Sequence, residues 1–326
     1  MAGDETAPQV IDDCRGVLRV FNDGSIWRSP NPSYTTAVYD DGSIEWKDLP
    51  FGSPDLGLHL RLYRPSNPSS PSPLPIFFYF HGGGFCIGSR TWPNCQNYCF
   101  RLARDLSAII IAPDYRLSPE HPLPAAIHDG FASLDWLRSQ ASEANPDPWL
   151  SPSSADFSRI FISGDSAGGT ITHHLSLHFS FSDPSPILIR GFILLMPFFG
   201  GEIHTSSEVN CPPDASLNLE LNDRYWRLSL PRGATRDDPI SNPFGPGGPD
   251  LESVRFESMM VVIGGKDLLR DRAVEYARRL KELGKPVQLV EFVDQQHGFF
   301  TLDPWSQPSD QLMASIKRFM HDNHSV

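Results

Sequence analysis

The chain has 326 residues, of which 40% are hydrophobic and 20% charged, as in ordinary water-soluble globular enzymes. Its net charge of −12 and the lack of a basic run argue against a nucleic acid or an anionic membrane surface as a partner, because both attract clustered Lys and Arg. Five cysteines, an odd number, argue against a disulfide framework. The acidic N-terminus shows no secretory signal, and no apolar run approaches the ~18 residues of a membrane span. We therefore expect a cytoplasmic protein, with the nucleus as a second compartment and no stable membrane association.

The predicted elements begin with brief β-like runs and polar turns, and residues 58–63 alternate like a strand. Five prolines in 65–75 predict an exposed connection. From residue 76 onward short apolar strands alternate with helices, which predicts a mostly parallel sheet flanked by helices, an α/β fold. The predicted strands are 17–21, 58–63, 76–80, 108–112, 160–163, 191–196, 259–263 and 287–292. The predicted helices are 95–105, 125–139, 217–228, 271–283 and 311–321, with another following residue 166.

Residues 198–249 interrupt this alternation. They are rich in Pro, Gly and Asn and contain one good helical stretch. Long irregular excursions between strands are usually functional, so we expect this segment to form a cap over the site. Residues 1–40 carry apolar side chains but too few for a core of their own, which predicts a lid that packs across the pocket. The expected organisation is a single α/β domain, 1–326, with a lid (1–40) and a cap insertion (198–249).

The pentapeptide GDSAG at 164–168 fits the pattern G-x-S-x-G. Such a pattern is weak alone, because average composition produces it in about one chain in ten. Here it follows a predicted strand and opens a predicted helix, so glycines allow the tight turn that presents Ser166 as a nucleophile. The helix N-terminus adds partial positive charge where an oxyanion forms.

A second motif, HGGG at 81–84, also follows an apolar strand. Successive glycines can turn their N–H groups inward without interference from Cβ atoms. We therefore predict that the amides of Gly83 and Gly84, together with that of Ala167, form an oxyanion hole.

A serine hydroxyl needs a base to become a good nucleophile. His297 follows the last predicted strand, where the final loop of such a sheet reaches the nucleophile. Asp267, in the loop after the penultimate strand, is predicted to orient His297, with Asp271 as the alternative whose other role is a helix N-cap. His174 and His178 have i, i+4 spacing but no third ligand, so we expect no metal and no cofactor.

Aromatic residues near these motifs are candidates to line an apolar substrate pocket. They are Phe85, Trp92, Phe198, Phe199, Tyr225 and Trp226. The scarcity of Lys and Arg near the motifs argues against a charged substrate.

The motifs together resemble the plant carboxylesterases of the hormone-sensitive-lipase class. The resemblance rests on HGGGF at 81–85, DYRLSPEHPLPAA at 114–126, GDSAGG at 164–169, GGKDLLRDRA at 264–273 and QQHGFF at 295–300. It implies the α/β-hydrolase fold, a catalytic triad of Ser166, Asp267 and His297, and the oxyanion hole named above.

Two further passages, PFFGGE at 197–202 and YWRLSLP at 225–231, resemble a subgroup of that family. Its members are implicated in hydrolysing strigolactones, which are butenolide-bearing plant hormones. The resemblance implies a small, largely apolar ester or lactone as substrate, and strigolactone catabolism as one form of that activity.

Two other functions stay open on the same scaffold. Gibberellin receptors resemble this family but have lost the catalytic histidine, whereas His297 and Ser166 are both present here. Hydroxyisoflavanone dehydratases resemble it with Thr at the nucleophile position, which leaves a lyase or cyclase as the other alternative. Ser166 favours hydrolysis; the identity of the ester and the oligomeric state are not determined by the sequence.

Overall fold

The computed structural model describes residues 7–30, 36–67 and 73–323. Its strands are β1 (Val10–Cys14), β2 (Leu18–Phe21), β3 (Ile26–Arg28), β4 (Ile44–Pro50), β5 (His59–Pro65), β6 (Leu74–Phe80), β7 (Ile109–Pro113), β8 (Ala155–Asp165), β9 (Ile189–Leu195), β10 (Met259–Gly264) and β11 (Val287–Phe292). Its helices are α1 (Pro93–Leu106), α2 (Ala125–Ser142), α3 (Ala167–Phe181), α4 (Ser206–Val209), α5 (Leu219–Ser229), α6 (Arg270–Glu282), α7 (Phe299–Leu302) and α8 (Gln307–Asp322). No helix in these ranges is long and apolar enough to cross a membrane.

An eight-stranded mixed sheet forms the centre, in the order β11-β10-β9-β8-β6-β7-β5-β4. Neighbouring strands from β11 to β7 are parallel, and β5 and β4 close one edge as antiparallel strands. β7 and β10 are buried along their whole length, as expected for parallel strands with helices on both faces. The prediction of a mostly parallel sheet flanked by helices is confirmed.

The alternation of side chains along β6 shows how the core is divided. Ile76, Phe78 and Phe80 join a cluster with residues of α2, α3 and α6, whereas Phe77 and Tyr79 join a cluster with residues of α1 and α8. Successive strand residues point to opposite faces, so one apolar strand supplies both layers.

The register of the central strands positions the two glycine motifs. β6 and β8 are adjacent, with Phe80 paired to Gly164. The chain leaves both strands at the same edge of the sheet, because parallel strands have their carboxyl ends together. The loops that follow β10 and β11 leave from this edge as well, since Gly264 pairs with Phe292.

The N-terminal region differs most from the prediction. β1, β2 and β3 form a separate three-stranded antiparallel sheet, whereas the sequence predicted brief β-like runs here and gave bounds only for the middle strand, 17–21. β1 was missed because Asp12 and Asp13 disfavour a strand locally. Tertiary contacts stabilise it: Arg224 of α5 donates to the carbonyl of Asp13 and lies 3.4 Å from the Asp12 carboxylate.

Candidate active site

Ser166 occupies the turn between β8 and α3. Its φ is 52° and its ψ −117°, a conformation that residues other than glycine rarely adopt. The Ser166 N–H donates to the carbonyl of Leu195 at 2.9 Å, and the N–H of Phe198 donates to the Ser166 carbonyl at 2.9 Å. Bonds to β9 and to the segment after it therefore hold the strained turn that the sequence predicts for a nucleophile.

The glycines around Ser166 are required by close backbone approach. A Cβ on Gly164 would overlap the backbone of Gly168, and a Cβ on Gly168 would overlap the carbonyl of Phe80. The strand, the turn and the neighbouring β6 thus meet at distances that no side chain permits.

The HGGG loop lies directly against this turn. A Cβ on Gly82 would lie 3.0 Å from the Ser166 Cβ. Gly83 and Gly84 have φ values of 121° and 58° and line the same cavity as Ser166. Ala167 is buried at the first position of α3. The structure thus brings together the three residues predicted to bind the oxyanion.

His297 reaches the cavity from the loop after β11. Its Nδ1 lies 2.8 Å from Oδ2 of Asp267, and His297 and Ser166 both line the cavity. The other oxygen of Asp267 accepts the N–H of Leu269 at 2.9 Å, which fixes the carboxylate. Burial lowers the pKa of His297, but the charge and hydrogen bond of Asp267, aided by the charge of Asp165, outweigh it, so the net pKa is raised.

Asp271 does not contact His297 in this way. Its Oδ2 accepts the N–H of Ser207 at 2.8 Å, so it holds helix α4, which lies in the segment predicted to form the cap. The residue at the N-cap of α6 is Leu269, and Asp271 lies inside the first turn. The structure therefore brings Asp267 to the histidine, and the N-cap role considered for Asp271 is not observed.

The six aromatic residues predicted to bind substrate divide into two layers. Three of them line the cavity, and three are not among its described lining residues. The lining residues are Trp92, Phe198 and Tyr225, and the others are Phe85, Phe199 and Trp226.

The three aromatic residues that do not line the cavity pack against residues behind its wall. Trp226 stacks on Phe198 with ring centroids 4.1 Å apart, and Phe85 packs 6.2 Å from both rings. Phe199 packs against Tyr276 of α6 at 4.8 Å. Large aromatic residues are common both in cores and in pockets, so composition alone did not separate the two layers.

Asp165 is a cavity residue that the sequence reasoning missed. It occupied the variable position of G-x-S-x-G and had no assigned role. In the structure it is buried, lines the cavity and accepts a 2.6 Å hydrogen bond from the hydroxyl of Tyr79. Burial raises the pKa of the Asp165 carboxyl, against the hydrogen bond from Tyr79 and the charge of His297, which lower it.

Arg15 is the second missed residue. It lies in the turn between β1 and β2 and lines the cavity. Nothing in the local sequence indicated that Arg15 lines the cavity, because the catalytic motifs lie far along the chain.

The predicted cap segment adds three further lining residues, Ser216, Leu217 and Leu221.

The predicted lid can be compared with the structure only in part, because its residues 1–6 and 31–35 lie outside the described ranges. Arg28 of β3 donates to the carbonyls of Cys86 and Ser118 at 2.6 and 2.8 Å. The three-stranded N-terminal sheet is therefore docked next to the HGGG loop.

The histidines of α3 are engaged separately. His174 Nε2 lies 3.0 Å from the carbonyl of Ile240, and the ring of His178 lies 4.7 Å from that of Phe131. Within the described ranges, no group of three or more His, Cys, Asp or Glu residues could hold a metal ion.

Known proteins are similar to this chain in sequence and, where solved, in fold. A family profile described as alpha/beta hydrolase fold matches residues 77–301. Carboxylesterase 20 of Arabidopsis thaliana is 39% identical over 331 residues, covering 96% of this chain and 98% of that protein. The 2-hydroxyisoflavanone dehydratase of Glycine max is 31% identical over 323 residues, covering 96% and 99%. A thermophilic carboxylesterase cloned from a metagenomic library has a solved structure with a TM-score of 0.72 and 28% identity, covering 86% of this chain and 90% of that one.

Proposed function

This chain belongs to the plant carboxylesterases of the α/β-hydrolase fold, and from that premise we propose that it hydrolyses a small, largely apolar ester or lactone through a triad of Ser166, His297 and Asp267. The observation that carries the proposal is the 2.8 Å contact between His297 and Asp267, in the same cavity as Ser166 on its strained turn. These are the three groups that acyl transfer by a serine enzyme requires.

The reaction follows from this arrangement. The Ser166 hydroxyl attacks the ester carbonyl while His297 accepts its proton, and Asp267 stabilises the resulting imidazolium. The amides of Gly83, Gly84 and Ala167 bind the oxyanion, a contribution for which loss of one donor typically costs about 10²–10³ in rate. His297 then protonates the departing alcohol, and an acyl-enzyme forms on Ser166. Water, deprotonated by His297, releases the acid.

Strigolactones are the specific lactone substrate that we propose. The support is the resemblance of the two passages at 197–202 and 225–231 to the subgroup implicated in their hydrolysis. Phe198 and Tyr225, one from each passage, line the cavity. A panel of plant esters that includes strigolactone analogues tests this, and turnover of simple esters without turnover of the analogues would contradict it.

A lyase is the second candidate, supported by the 31% identity to 2-hydroxyisoflavanone dehydratase. The presence of serine at position 166 favours hydrolysis instead. A lyase would release a dehydrated product from a hydroxylated substrate without forming a covalent Ser166 adduct.

Replacing Ser166 with Ala tests the proposal directly. The variant should retain less than about a hundredth of the wild-type turnover of a short chromogenic ester, because the hydroxyl is the covalent nucleophile. A fluorophosphonate probe should label the wild type and leave the variant unlabelled.

The matched control is Ser163→Ala, which alters another buried serine of β8 three residues earlier. It should be labelled and should turn over the ester. Comparable activity in Ser166→Ala and the wild type, or a wild-type protein that neither turns over esters nor reacts with the probe, would overturn the hydrolase mechanism.

A further inference from the structure

Arg15 places a positive charge at the cavity. Arg15 is the only Lys or Arg among the described residues that line it. The residue is exposed to solvent while it lines the cavity, so it lies at the mouth and not on the floor. An incoming substrate therefore passes a positive charge on its way to the catalytic groups.

The backbone at this position is unusual for an arginine. The turn at residues 14–17 closes with a 3.0 Å hydrogen bond from the N–H of Val17 to the carbonyl of Cys14. Its two central residues, Arg15 and Gly16, have φ values of 58° and 65°. Positive φ at both central residues is typical of a type I′ turn, which favours Gly, Asn or Asp at both positions. A long side chain at the first position therefore carries a steric penalty. Strain of this kind concentrates at functional sites.

The turn is also rigidly held. The N–H of Gly16 donates to the Asp13 carboxylate at 2.5 Å, and Arg224 of α5 donates to the Asp13 carbonyl at 2.5 Å. The flanking residues Cys14 and Val17 are buried in the main core cluster. Arg15 is thus presented from a fixed backbone, which preserves binding energy that a mobile loop would lose on ordering.

The charges around the cavity are arranged asymmetrically. The positive charge of Arg15 is close enough to His297 to lower the histidine pKa slightly. Burial lowers that pKa more, and Asp267 raises it more. The cavity carboxylate, Asp165, lies beside Ser166 and is bonded to Tyr79. The anionic side of the cavity is therefore at the nucleophile, and the cationic side is at the mouth.

We propose that Arg15 binds an oxygen acceptor on the substrate, above all a carboxylate, at the end remote from the scissile carbonyl. The inference rests on the proposed ester hydrolysis and narrows its substrate class to esters that carry such a group. A guanidinium has five N–H donors in a planar fork, which matches a carboxylate with two parallel hydrogen bonds and can also serve a lactone carbonyl. The scarcity of cations near the motifs predicts an uncharged substrate; a lactone carbonyl as the acceptor agrees with that prediction, whereas a carboxylate departs from it.

Matched probes test the proposal. One set consists of phenyl acetates that carry, at ring position 3 or 4, a carboxylate, a methyl ester or an isopropyl group. A second set consists of 4-nitrophenyl esters whose acyl chain ends in the same three groups. The measured quantity is kcat/KM for each acceptor-bearing probe divided by kcat/KM for its isopropyl counterpart.

Arg15→Gln should lower the carboxylate ratio about tenfold in at least one set, because a charge-assisted hydrogen bond is lost. Arg15→Lys, which keeps the charge without the fork, should lose less. Arg19→Gln is the control, since Arg19 belongs to the same hairpin, bonds Asp13 at 2.8 Å and is not among the lining residues. That control should preserve the ratio.

The outcomes separate the two proposals. A wild type that hydrolyses none of the probes contradicts the proposed function itself. If the probes are hydrolysed but Arg15→Gln leaves every ratio unchanged, or if Arg19→Gln lowers the ratios equally, only the role of Arg15 is overturned. A fall in the carboxylate ratio alone indicates an anionic substrate, and a parallel fall in the methyl ester ratio indicates that a neutral carbonyl suffices.

Discussion

Two carboxylates act on His297 in different ways. Asp267 bonds its Nδ1 directly, whereas Asp165 influences it through charge. Both effects stabilise the imidazolium and strengthen the histidine as a proton acceptor. The variable residue of the nucleophile motif thereby belongs to the electrostatics of the site.

This arrangement predicts a pH effect. The proposed mechanism needs neutral His297, so kcat/KM falls as the pH drops through its pKa. The charge of Asp165 raises that pKa. Asp165→Asn removes the charge, which makes the imidazolium less stable, and should shift the acidic limb of the kcat/KM profile to lower pH.

Tyr79→Phe is the companion variant, because it keeps the Asp165 carboxyl but removes the hydrogen bond that lowers its pKa. A larger fraction of Asp165 is then protonated, so the limb should move in the same direction by a smaller amount. Movement of the limb to higher pH in Asp165→Asn would contradict this account.

Among the elements, α6 connects the cap to the loop that carries Asp267. Arg272 of α6 bonds both carboxylate oxygens of Glu208 in α4, at 2.6 and 2.8 Å, and donates to the carbonyls of Gly200 and Gly201 at 2.9 and 3.1 Å. The hydroxyl of Ser207 donates to the carbonyl of Leu268 at 2.7 Å. These bonds therefore fix the position of the predicted cap segment relative to the loop that carries Asp267.

Loss of the Arg272–Glu208 ion pair should destabilise the protein. Glu208 is 1% exposed, so Arg272→Ala leaves a buried carboxylate without its guanidinium partner. Removing one member of a buried ion pair typically costs about 3–5 kcal/mol, and the free energy of unfolding measured in urea should fall by that order.

The control is Arg278→Ala on the same helix, whose ion pairs with Glu275 and Glu282 are exposed. Water screens such pairs, so this variant should leave the urea midpoint nearly unchanged. Equal midpoints for Arg272→Ala and the wild type would show that the cap does not depend on this link.

At the scale of the whole molecule, the residues that line the cavity come from distant parts of the chain. Arg15 comes from the predicted lid segment, and Leu217, Leu221 and Tyr225 come from the predicted cap segment. The two segments are joined by ion pairs, because Asp12 pairs with Arg224 and Arg227 of α5. We propose that lid and cap together cover the site and exclude water from it.

Asp12→Asn tests this covering role without removing any of the chain. Asp12 is 7% exposed, and the change weakens both ion pairs at once. The Michaelis constant for a bulky ester should rise several-fold, and that for a short acetate should rise much less, because the larger substrate makes more contacts with the lid. Equal changes for the two substrates, at an unchanged melting temperature, would assign the lid a purely structural role.

The local sequence by itself determined the parallel strands, the nucleophile turn and the HGGG loop. Apolar periodicity and glycine spacing are short-range properties, and they predicted β11 at its observed bounds and β6, β7, β9 and β10 within two residues. For β8 they predicted only 160–163 of Ala155–Asp165, because its first half is polar. The order of motifs along the chain was also enough to select Asp267, which the structure places 2.8 Å from His297.

Only the tertiary structure decided which side chains form the cavity wall. Trp92 and Phe85 are both aromatic and close in sequence, yet one lines the cavity and the other is fully buried behind it. Arg15 reaches the site through a hairpin held by residues more than 200 positions away. Such placements depend on long-range packing and ion pairs, which no local pattern encodes, and for that reason the fold could be predicted from the sequence more fully than the specificity of its site.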